Sequence, residues 1–112
     1  MSVEGVRKFA LIGKSGAGKS TVANQIARLS GARRVSTGAI CRSISKLLFA
    51  NEDKTSTQRI DDALTIIDPS IFLKAALRDV KPDEAICVDS LRFASDYQIA
   101  RSSGFEIIRV VA

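Results

Sequence analysis

Histidine is absent from the 112-residue chain, and its two cysteines, Cys41 and Cys87, lie far apart with no CxxC spacing. A structural zinc centre draws its ligands from these residue types, so none is expected. The cysteines read instead as small core residues in a reducing compartment. Aromatic residues make up 5% of the chain, and no run of Lys/Arg exceeds two. A nucleic-acid surface of stacking rings and basic stripes is therefore disfavoured. No apolar run approaches the roughly 20 residues that span a bilayer, and nothing before Phe9 resembles a secretory signal. The expectation is a soluble, cytoplasmic protein with no membrane and no nucleic-acid partner. Internal repeats and low-complexity segments are also missing.

What is present suffices for one compact domain over residues 1–112, since 46% of the residues are hydrophobic. Charge is unevenly spread. Residues 1–50 carry nine Lys/Arg against one acid, whereas residues 51–112 carry eight against eleven. A basic half without aromatics suits small phosphorylated ligands better than a polymer.

Periodicity gives an alternating order. Residues 7–12, RKFALI, form a short apolar strand ending at Gly13. Residues 19–30 place Val22, Ile26 and Leu29 at helical spacing, with Gly31 as the stop. ARRVS suits a second strand. From about Gly38 a helix follows, with Ile40, Ile44, Leu47 and Leu48 expected on one face. NEDKTST reads as a polar break. Ile60, Leu64 and Ile67 then mark another helix, closed by Asp68-Pro69, where Asp68 is expected to cap and Pro69 to open the next helix. That helix carries Ile71, Phe72, Ala75 and Ala76. AICVDS suits a strand buried on both faces, residues 93–103 a helix stopped by Gly104, and EIIRVVA a last strand. The order predicts an α/β sandwich around a mostly parallel sheet.

The run Gly13-Lys14-Ser15-Gly16-Ala17-Gly18-Lys19-Ser20 matches GxxxxGK[ST] in full, and Thr21 continues it into the helix. Glycines let the backbone wrap phosphates so that successive N–H groups and a helix N-terminus face negative charge. In such a P-loop, Lys19 reaches the β- and γ-phosphates and the Ser20 hydroxyl serves Mg²⁺. A chance match in a chain of this length is on the order of a few per thousand. Lys14 is not required by the pattern and reads as a solvated charge. The loop implies ATP and Mg²⁺ without distinguishing a switch, a motor or a kinase. No N-K-x-D guanine-reading motif occurs, which disfavours a GTPase.

Two further stretches narrow the choice. VSTGAICR, residues 35–42, resembles the monophosphate-binding segment of adenylate kinase and its relatives, matching at Ser36, Thr37, Gly38 and Arg42. Ala39 stands where adenylate kinases carry Asp. The resemblance implies that Thr37 touches the acceptor nucleotide and that Arg42 grips its phosphate, a task suited to a guanidinium fork. Residues 86–109 resemble the phage-type deoxynucleoside monophosphate kinases. Asp89 ends a buried strand, Arg92-Phe93 follow, and a helix, a glycine and an I-I-R-V strand come next, with one residue more between Asp89 and Arg92 than in that pattern. IDPSIFLKAAL is similar to their preceding segment. By that resemblance Asp89 anchors Mg²⁺ through water and Arg92 is a second grip on the acceptor phosphate. The fold implied is the P-loop NTPase three-layer sandwich. The activity implied is ATP-dependent transfer to a nucleoside monophosphate, with Lys19, Arg42, Arg92 and Asp89 as the catalytic set.

That family orders its sheet 2-3-1-4-5, with an arginine-bearing lid after the fourth strand. This sequence stops at Ala112, directly after its fourth expected strand. A shortened chain, a homodimer or partner chain pairing at the 106–111 edge strand, and a non-catalytic ATP-binding module are three readings of that. A dephospho-coenzyme A kinase or another small-molecule kinase stays open within the enzyme class.

Overall fold

The structure is a computed structural model that describes residues 7–14 and 16–111. Among the described residues, four strands and five helices follow one another in the expected order: β1 (Lys8–Ile12), α1 (Lys19–Ser30), β2 (Arg33–Val35), α2 (Thr37–Phe49), α3 (Lys54–Ile67), α4 (Ile71–Leu77), β3 (Ile86–Val88), α5 (Ala94–Ser102) and β4 (Glu106–Arg109). The sheet runs in the order β2-β3-β1-β4, and every pairing is parallel. This is a P-loop NTPase-like α/β sandwich. Among the described residues, no helix is long and apolar enough to cross a membrane.

Side-chain alternation along the strands builds two cores. Phe9, Leu11 and Cys87 face one side and pack with Ala23, Ala32, Val22 and Ile26 around α1. Ala10, Ile86 and Val88 face the other and pack with Leu73 and Ala76 of α4, Ala100 of α5 and Phe105. All three residues of β3 are buried, as a continuous apolar strand in a two-sided parallel sheet requires. Gly31 ends α1 in a left-handed conformation (φ 73°) that glycine adopts without steric cost.

Four expectations need correction. The inward stripe of α2 is Thr37, Cys41 and Ser45 with Ile40 and Ile44 partly buried, whereas Leu47 is 83% exposed and Leu48 also faces outward. Cys41 packs there with Ile60 of α3 and Phe72 of α4. The buried Ser45 hydroxyl is satisfied by donating to the Asn51 carbonyl at 2.8 Å. Helix α3 begins at Lys54, inside the expected polar break, and Ile67 at its end is exposed. Pro69 lies in a turn ahead of α4. The N-cap there is Ser70, while the Asp68 carboxylate accepts the Ser70 N–H at 3.0 Å. The last strand is shorter than expected, ending at Arg109 within the described residues.

Candidate active site

Because the strands are parallel, their C-terminal ends share one edge of the sheet, and the next residues, Gly13, Ser36, Asp89 and Val110, gather there. The strand order reverses at β1, with β3 on one side and β4 on the other. This leaves a crevice at the end of β1, where open α/β sheets bind ligands. The glycine loop fills that position.

Glycine is needed at its start. A Cβ on Gly13 (φ +155°) would lie 2.6 Å from the Val110 carbonyl oxygen, whose residue donates its N–H to the Ile12 carbonyl at 2.8 Å. Gly16 (φ 84°) and Gly18 (φ 94°) take left-handed conformations around a turn closed by the Ala17 N–H on the Lys14 carbonyl. Gly18 is the N-cap of α1 and offers no side-chain cap, and no acid lies in the first turn. The opening N–H groups of the helix are thus left for an anion. Lys19 folds back so that its Nζ donates to the Gly13 carbonyl. Ser20 and Thr21 are exposed on the first turn, and Lys14 is exposed as expected. Ser15 lies outside the described residues.

A cavity opens on each side of this loop. One, of about 590 Å³, is lined on the β4 side by Ile12, Gly13, Lys14, Gly16, Val110 and Val111, among others. The second, of about 620 Å³, lies on the β2–β3 side and brings together Ser20, Gly38, Arg42, Asp89 and Arg92. Thr37 is not on its wall. That residue is 7% exposed at the start of α2, and its neighbours Ser36 and Gly38 face the cavity instead. The Ser36 hydroxyl caps α2 by accepting the Ala39 N–H at 3.2 Å.

The main chain fixes both Asp89 and Arg92. The Asp89 N–H donates to the Val35 carbonyl at 3.0 Å and that of Leu91 to the Leu11 carbonyl at 2.9 Å, so β2 and β1 hold the turn. The buried Asp96 carboxylate then accepts the N–H groups of Arg92 (2.9 Å) and Phe93 (3.1 Å) at the start of α5.

Two residues that sequence reasoning passed over complete the wall. Asp61 of α3 accepts both terminal nitrogens of Arg92, at 2.5 and 2.8 Å, and this pairing raises the Arg92 guanidinium further above its ordinary value. Arg34 of β2 reaches Asp89 at 3.1 Å and Asn24 at 2.7 Å. Neither stands in a motif; only the expected adjacency of β2 and β3 could have hinted at Arg34. Arg42 has no ion pair among the described residues.

The Ser20 hydroxyl and the Asp89 carboxylate converge on the same Arg34 nitrogen, at 3.4 and 3.1 Å. These hard oxygen donors fit Mg²⁺. Among the described residues no group of three His/Cys/Asp/Glu could hold a metal. A magnesium ion here would draw the rest of its shell from water and from phosphate oxygens.

No protein-family profile matches the chain. It is 35% identical over 83 residues to a protein of Rhodopseudomonas palustris (strain TIE-1) named cytidylate kinase. Identity to the protein of the same name from strain ATCC BAA-98 / CGA009 is also 35% over 83 residues. The match covers 73% of this chain and spans 39% of the length of those relatives. This likeness supports a P-loop kinase relationship and does not reach the narrower phage-type group.

Proposed function

We propose that the chain carries the nucleotide-binding core of an ATP:nucleoside monophosphate phosphotransferase, with a cytidine or deoxycytidine monophosphate as the first acceptor to test. The observation that carries this reading is the position of the glycine loop between two cavities, one of which gathers Ser20, Arg42, Asp89 and Arg92. Likeness to proteins named cytidylate kinase supports the reaction class and suggests the base.

The triphosphate would lie in the loop from Gly13 to Thr21, with its base toward the β4-side cavity. Lys19 would exchange the Gly13 carbonyl for the β- and γ-phosphates, and the opening N–H groups of α1 would hold them. Mg²⁺, held by Ser20 and through water by Asp89, would supply charge neutralisation on the transferred group. In the second cavity, Arg42 and then Arg92 would hold the acceptor phosphate in line. Its attacking oxygen is already ionised at neutral pH, so no general base is needed. The phage-type resemblance would extend the acceptors to other deoxynucleotides. Strand β4 lies at an edge of the described sheet, and the same reading gives that edge a further strand from a longer chain or a partner.

The test is incubation with Mg²⁺·ATP and each common ribo- and deoxyribonucleoside monophosphate in turn, with chromatographic separation. ADP and one diphosphate appearing in equal amounts, lost in Lys19→Ala, is the expected result. Binding of ATP with no transfer to any acceptor would reduce the chain to a nucleotide-binding module. An unchanged ATP affinity in Lys19→Ala would remove the P-loop assignment.

A further inference from the structure

Arg34 lies in the middle of β2, and its guanidinium crosses to α1. Nη1 donates to Asn24 Oδ1 at 2.7 Å, while Nη2 stands 3.4 Å from Ser20 Oγ and 3.1 Å from Asp89 Oδ2. Its Nε is buried without a hydrogen-bond partner. Leaving a buried donor unmet is costly, so the side chain is held here by the carboxylate and the two neutral oxygens, not by full satisfaction of its own donors. The two oxygens on Nη2 are those assigned to the metal. One nitrogen thus sits where the donors of a divalent cation converge, and it carries the same sign of charge.

We propose that Arg34 is the resident cation of the Ser20–Asp89 pair and competes with the divalent cation that a bound nucleotide brings. The inference rests on the P-loop reading given above. Mg²⁺ would draw on the same Ser20 Oγ and Asp89 carboxylate, directly or through water, and a guanidinium nitrogen already on those oxygens would repel it as a like charge. Arg34 keeps Ser20 and Asp89 together while the nucleotide is absent, and it must leave when the metal complex binds. It also lines the second cavity, as Arg42 does.

The experiment is calorimetric titration of Mg²⁺ into the full chain saturated with ADP, comparing the wild type with Arg34→Met. Competition predicts that the half-saturating Mg²⁺ concentration falls about tenfold in the variant, the scale of one charged hydrogen bond lost from the competing side. A midpoint that is unchanged or raised, in a variant that still binds ADP, would overturn the proposal. Failure of the wild type to bind ADP, or ADP binding untouched by Lys19→Ala, would overturn the P-loop reading and this proposal with it. If Arg34→Met does not fold, the Nε–H resonance of Arg34 in the wild type decides. It is expected to shift and to exchange faster with solvent on adding Mg²⁺·ADP, but not with ADP alone. A resonance unmoved by Mg²⁺·ADP overturns the competition.

Discussion

The guanidinium of Arg92 and the carboxylate of Asp61 form a two-pronged pair, at 2.5 and 2.8 Å, across the mouth of the second cavity. Asp61 comes from α3 and Arg92 from the turn before α5, so the pair ties two separate elements. On the proposed function, a phosphate arriving at Arg92 would need the same fork that Asp61 occupies. The carboxylate would then act against the acceptor before any contact with it is made.

Asp61→Asn removes that competitor along with one negative charge from the cavity wall. An ion pair of this exposure contributes about 1 kcal/mol, so the KM for the monophosphate should fall roughly fivefold. Steady-state kinetics with the preferred acceptor checks this. A higher KM would show that Asp61 positions Arg92 for the phosphate or touches the acceptor itself.

Arg42 differs from Arg34 and Arg92 in having no ion pair among the described residues, although all three line the cavity. Its Nη1 would stand 3.2 Å from a Cβ on Gly38, which places it against the opening turn of α2. Losing a charged hydrogen bond costs about 1.5–3 kcal/mol, so Arg42→Ala should raise the KM for the monophosphate roughly ten- to a hundredfold. ATP affinity should stay near the wild-type value. A variant with unchanged acceptor KM would remove Arg42 from the site.

Gly13→Ala tests the start of the loop. The added methyl would meet a backbone carbonyl, that of Val110, at 2.6 Å, and that strand cannot retreat without stretching its hydrogen bond to Ile12. Overpacking of this kind costs about 2 kcal/mol, which for a domain of this size lowers Tm by on the order of 10 °C. Calorimetry should show the drop together with weakened ATP binding. An unchanged Tm would mean that β4 is not held against the loop.

The elements that carry the site were legible because each has a local cause: the glycines of 13–18, the apolar run before Asp89, and Gly31 after α1. Sheet order was legible only through the resemblance, since periodicity says nothing about which strands are neighbours. Side-chain direction on α2 was less legible. Leu47 and Leu48 look like core residues by type, but the helix turns Cys41 inward against Ile60 of α3 and Phe72 of α4, with the buried Ser45 on the same face. Asp61 and Arg34 were invisible for a related reason. Their roles arise from contacts 31 and 55 positions away in sequence, with Arg92 and Asp89 respectively. Asp61 also looks like any charge on a solvated helix.

Both cysteines are buried, and loss of hydration raises each thiol above its ordinary value. For Cys41 the neighbouring Asp61 adds to the rise, and for Cys87 the neighbouring Asp89 does. Little thiolate is therefore present at neutral pH. Labelling with a thiol reagent at pH 7.5 should be slow in the folded chain and give two equivalents in denaturant. Cys41, which donates to the Thr57 carbonyl on the cavity wall, should be protected further by the acceptor nucleotide. Fast labelling of both thiols in the native state would contradict this packing.

Acid should weaken the turn between α3 and α4. The Asp68 carboxylate accepts from Lys74 Nζ at 2.7 Å and from the Ser70 N–H, and these two partners, Lys74 foremost, hold its pKa below the ordinary aspartate value. The folded state then binds fewer protons than the unfolded one over the acid range, so this contribution grows with pH. It is fully present above the unfolded value near about 4 and disappears as pH falls through the lower folded value. Urea midpoints for the wild type and Asp68→Asn should differ at pH 6, with the wild type the more stable, and should converge by pH 2. A gap that stays constant with pH would show that the ion pair with Lys74 contributes nothing in solution.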